Sequence, residues 1–138
     1  MNWNEAEELM MTARNRNKGK PIGNNTRLYF TENTLTGDDF YTIHLHGNEI
    51  MRIFRDRIVP FDGGWRTVTT KARLNEHLPR GFYVFQKNWD WYLKVLSEDE
   101  NKPFVYDFSD VYYIHNERGV MLCKTHPNYP KMYGDDDE

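Results

Sequence analysis

Cysteine is nearly missing: Cys123 is the single one in 138 residues, so no internal disulfide can form and a reducing compartment is expected. Long apolar runs are missing as well. None approaches the about 20 residues of a membrane-spanning helix, and the first residues lack the apolar core of a secretory signal. The chain is therefore expected to avoid the membrane and to reside in the cytoplasm. A surplus of basic charge is also absent, because 18 Lys and Arg stand against 21 Asp and Glu, a formal net charge of −3. That balance excludes strong global attraction to nucleic acid, so any such contact needs a local basic patch. There is no internal repeat and no low-complexity linker.

Aromatic residues are plentiful instead. They make up 15% of the chain, enough to build a core from few, large side chains despite a low mean hydropathy. The length suits one domain. We expect a single α+β domain over residues 1–133 and an acidic C-terminal tail over 134–138. Charge is unevenly spread: Arg52, Arg55, Arg57, Arg66, Lys71, Arg73 and Arg80 crowd the middle, whereas carboxylates gather at 98–100 and 135–138.

Asn2 followed by Glu5 reads as a capping box, and Trp3, Ala6, Leu9, Met10 and Ala13 recur at helical spacing. This predicts an N-terminal helix to about Arg16, with Arg14, Arg16, Lys18 and Lys20 complementing the negative end of its dipole. Gly19 and Pro21 then open a loop. From Thr26 the period becomes two, giving strands around Leu28–Phe30 and Tyr41–Leu45, and residues 49–60 supply one or two more, split at Asp56–Arg57. Asp62, Gly63 and Gly64 break the sheet. Thr67, Thr69 or Thr70 then caps a short central helix that buries Leu74 and Leu78. A hairpin is expected around Asn88–Asp90, and a last one turns near Asn116–Gly119, with Cys123 as a buried strand residue. The fold class is therefore α+β: an antiparallel β meander of about four strands, an N-terminal helix and a short central helix after the GGWRTVTTK segment.

That segment, GGWRTVTTKARLN at 63–75, gathers features that favour an anion. The glycines permit close backbone approach. Thr67, Thr69 and Thr70 offer hydroxyls, and a helix start presents unpaired N–H groups and a positive dipole end. Trp65, Arg66, Lys71 and Arg73 complete the candidate set. The same residues also suit a plain helix cap, with Trp65 in the core and Lys71 in water. The spacing differs from the phosphate-binding loop of nucleotide triphosphatases.

His44 and His46 alternate with Ile43 and Leu45, which on a strand puts both imidazoles on one face, roughly 7 Å apart. The pair suits proton transfer or, if Glu49, His77 or His115 joins it, a metal; it equally suits an exposed polar strand face. No His-x-Ser/Thr pair and no nucleophile elbow occurs, so covalent catalysis has no support. We assign no catalytic residue, metal ligand or cofactor. Aromatics near Arg66, Lys71 and Arg73 suit nucleic acid or a nucleotide. The alternatives are a host-interaction protein that blocks a bacterial enzyme or defence complex, and a phosphoesterase assisted by His44 and His46.

GGWRTVTTKARLN, the preceding IHLHGNEI and the earlier RNRNKGKPIGNNTRLYF together resemble a family of small tailed-bacteriophage proteins. Its members share a Gly-Asn…Thr start to the first strand, a V-x-L-H-x-T-D-I strand and a G-G-W-x-T-x-T-T-K-x-R-I-N segment. The resemblance covers residues 14–96 and brings no activity with it. It implies a phage accessory protein made inside an infected bacterium, in the host cytoplasm. Asn48 and Glu49 stand here where the pattern has Thr and Asp.

Overall fold

The structure, a computed structural model, describes residues 1–96 and 104–115 in full and the backbone of 119–123. The carboxylates at 98–100, the turn at 116–118, the side chain of Cys123 and the acidic tail lie outside the described residues.

Helix α1, Trp3–Met11, starts with the expected capping box: the Asn2 side chain accepts the Glu5 N–H at 2.8 Å, and the Glu5 carboxylate accepts the Asn2 N–H at 3.0 Å. Trp3, Ala6 and Met10 bury its apolar stripe. The helix stops before Arg16. Thr12 ends it by donating its hydroxyl to the Leu9 carbonyl at 2.7 Å, and Asn15 then caps a separate 3₁₀ turn, Arg16–Lys18. The last turn of α1 consequently holds no basic residue.

Strands β1 (Lys20–Gly23), β2 (Thr26–Thr31), β3 (Phe40–Leu45), β4 (Asn48–Ile53) and β5 (Arg57–Pro60) form an antiparallel meander. β1 falls where a loop is expected; it is an edge strand, where Pro21 removes no ladder bond from the interior of the sheet. After helix α2, Val68–His77, strands β6 (Phe82–Lys87), β7 (Asp90–Val95) and β8 (Phe104–Asp107) build a separate three-stranded sheet. A 3₁₀ turn, Phe108–Asp110, then leads into β9 (Val111–His115), which pairs with β5 and is itself paired by β10 (Gly119–Cys123). The first sheet thus has the order β1-β2-β3-β4-β5-β9-β10 among the described residues. The fold is α+β, with two α-helices among the described residues and a meander longer than the four strands expected.

Strand register explains the core. Leu28 faces Ile43, which faces Met51, while Ile53 faces Ile58, which faces Ile114. All six are fully buried. Trp3 and Ala6 of α1, Leu74 of α2, and Trp91 and Leu93 of β7 join them in one buried cluster. Burying each such large side chain contributes about 1.5–3 kcal/mol. This packing fixes the start of α2 against the β3–β4 end of the first sheet.

Candidate functional site

Residues 61–67 connect β5 to α2, and their backbone is shaped by two positive-φ glycines. Gly63 has φ +68 and lies so close to β4 that an added Cβ would come within 3.2 Å of Ile50 Cγ2; Gly64 has φ +85. Asp62 closes the turn, accepting the Gly64 N–H at 2.8 Å through its side chain and the Trp65 N–H at 3.1 Å through its carbonyl. Thr67 is the N-cap. Its hydroxyl accepts the Thr70 N–H at 3.1 Å and lies 3.0 Å from Thr70 Oγ1, while its carbonyl accepts the Lys71 N–H. The N–H groups of Val68 and Thr69 have no hydrogen-bond partner among the described residues.

The start of α2 and the β3–β4 turn enclose a cleft of about 380 Å³. Leu45 and Ile50 give it an apolar floor. His46 and Asn48 line it from the turn, and Thr67, Thr69 and Thr70 from the helix. Trp65 stands at its edge with 67% of its surface exposed, not in the core. Asp62 is the carboxylate of the lining, and both of its oxygens are engaged, one by Gly64 and the other by Arg66 Nε at 3.2 Å. The cleft therefore combines an aromatic ring, hydroxyls, an imidazole and the positive end of a helix dipole.

Five of the expected residues, Trp65, Thr67, Thr69, Thr70 and His46, meet in this cleft. The cations do not. Arg66 turns away to bridge Asp62 and Ser109 Oγ, the latter at 2.5 Å, and lies over the rings of Trp91 and Phe108. Lys71 is buried, with 9% exposure, and is engaged within the chain rather than pointing into water. Arg73 donates to Thr26 Oγ1 at 3.2 Å and reaches Glu76 at 3.4 Å.

The two histidines also part company. β3 ends at Leu45, so His46 is not a strand residue; it and Gly47 take φ +51 and +79, the two-residue turn that joins twisted strands. Its N–H donates to the Asn25 carbonyl at 2.8 Å. His44 remains on the strand, its ring 4.8 Å from that of Tyr29. The single face that proton or metal chemistry by the pair requires is thus not formed. Glu49 is committed elsewhere: burial would raise its carboxyl, but hydrogen bonds from Arg52 and Thr42 outweigh that and hold it below the ordinary carboxylate value. Among the described residues no three His, Cys, Asp or Glu side chains gather to hold a metal ion. Sequence reasoning missed Asn48 as a lining residue; the signal for it was Gly47-Asn48 directly after the strand.

A protein-family profile matches residues 4–118, well over half of the chain. The chain belongs to the Kyanoviridae Gp96 protein family. It is therefore a member of a phage protein family, as the resemblance implied, and the match runs beyond residues 14–96 to take in β8 and β9. Neither a curated protein nor a solved structure matches it significantly. Within this Gp96 family member, no helix of the described residues is long and apolar enough to cross a membrane.

Proposed function

We propose that this Gp96 family member is an accessory binding protein of the infected cell's cytoplasm, and that its cleft at the start of α2 holds one phosphate-bearing nucleotide unit. The observation that carries this reading is the position of Trp65, two-thirds exposed, beside the unpartnered N–H groups of Val68 and Thr69. A phosphate is favoured at a helix start by those donors and by the dipole. A base is favoured against an exposed indole, where stacking contributes about 1–3 kcal/mol. The volume falls within the range of about 300–1,000 Å³ typical of small-ligand pockets. With no Lys or Arg lining the cleft among the described residues, such binding responds weakly to salt.

Calorimetric titration with a panel of nucleoside monophosphates tests it. At least one should bind, and Trp65→Ala should weaken that binding roughly tenfold or more. A panel in which nothing binds, or an unaltered affinity in the variant, overturns it.

A second reading, an interaction protein for a host enzyme or defence complex, is favoured by Trp89. This indole sits at the tip of the β6–β7 hairpin, 88% exposed and at φ +73. Exposed aromatic anchors of this kind dominate many protein interfaces. The reading requires a stoichiometric host protein that binds the purified chain and not its Trp89→Gly variant.

A further inference from the structure

Arg14, Lys18, Lys20 and Arg27 line a second cleft, of about 350 Å³, which shares no residue with the first. In sequence, the first three of these look like counter-charges for the end of α1. The structure removes that explanation: α1 stops at Met11, and its dipole acts only within its last turn, which holds no cation.

Nothing else in the described part of the chain neutralises them. None of the four is in an ion pair there, and among the described residues no carboxylate lines the cleft. Arg27 instead donates one guanidinium nitrogen to the Lys18 carbonyl at 2.9 Å, which pins the basic turn to β2 and leaves the rest of the fork open. Gly19, at φ +76, lets the turn lie down on β2. A Cβ there would come within 2.7 Å of the Tyr29 ring and 2.8 Å of the Leu28 carbonyl. Four like charges are thus held in one concavity of a protein whose net charge is −3. Their mutual repulsion is relieved by a ligand with several closely spaced negative charges.

We infer that this cleft grips the phosphodiester backbone of a nucleic acid strand, independently of the nucleotide reading at α2. A concave basic cleft suits a chain of phosphates. The neighbouring ring of Tyr29, two residues from Arg27 on β2, packs against that of His44 on the paired strand β3 and supplies aromatic surface of the sort single-strand binders use. An anionic membrane would call for apolar side chains beside the cations, and among the described residues the cleft lining has none beyond Pro21.

Fluorescence anisotropy with labelled oligothymidine tests the inference. With about 0.7 counterions released per phosphate contact, four contacts give a log–log salt slope of about −3, a loss of roughly fiftyfold between about 50 and 200 mM salt. The double variant Arg14→Glu/Lys18→Glu alters two exposed residues and should abolish measurable binding. Arg14→Lys/Lys18→Arg should keep it. Binding that survives the charge reversal, a slope near zero, or binding to phosphatidylserine vesicles in place of the oligonucleotide overturns the inference. Because nucleoside monophosphate titration reads the α2 cleft separately, failure here does not imply failure there.

Discussion

Arg66, Lys71 and Arg73 stand within about two helical turns of Trp65 in sequence, yet none of them lines the cleft, and Arg66 and Arg73 are held by other partners. Arg66 finds Asp62, Ser109 and two aromatic faces, and Arg73 finds Thr26. The contacts with Ser109 and Thr26 join distant segments, which is why residue spacing could not reveal them. Thr67, by contrast, was legible as a cap candidate, because a cap is made with the next three residues. We expect Arg66→Ala to lower stability by about 1 kcal/mol, as fits a partly exposed ion pair with one further hydrogen bond. Nucleotide affinity should be unchanged. Chemical denaturation alongside calorimetry checks both, and a tenfold loss of affinity would return Arg66 to the binding site.

Elements were legible where their signals are local. Both helix starts, the split at Asp56–Arg57 and the Asn88–Asp90 hairpin were each written in a few adjacent residues. The pairing of β9 with β5 across α2 and the second sheet was not, since it depends on the burial of Ile58 against Ile114. His46 shows a subtler failure. Alternation with Leu45 mimics a strand, but the strand had already ended and Gly47 marked the turn. The β6–β7 hairpin uses the same geometry with Asn88 and Trp89, at φ +51 and +73, and a bulky residue in the left-handed region is strained. Glycine suits that position without strain. Trp89→Gly should therefore raise stability by up to about 1 kcal/mol, little burial being lost from an 88% exposed side chain. A fall in the unfolding midpoint in urea would show that Trp89 has a structural role.

Across the whole molecule, stability should depend on pH through His77 and Glu49. Burial lowers the His77 imidazole, with Glu76 opposing, so the folded protein resists a proton that the unfolded chain accepts near pH 6.5. The His77 contribution is constant above that value and declines as pH falls through the window beneath it. Glu49, also lowered, adds its loss only in the acidic carboxylate range. The midpoint of thermal unfolding should thus fall more steeply below about pH 6.5, and His77→Gln should flatten that part of the decline. A midpoint that rises on acidification, or an identical slope in the variant, contradicts the assignment.

Backbone amide chemical shifts read the first turn of α2 residue by residue. On addition of a nucleoside monophosphate, the largest changes should fall on the Val68 and Thr69 amides and on the Trp65 indole. Arg66 and Arg73 should stay near their starting positions. Saturable shifts confined to other surfaces, or no shift at Val68 and Thr69 at any nucleotide tried, would contradict the account.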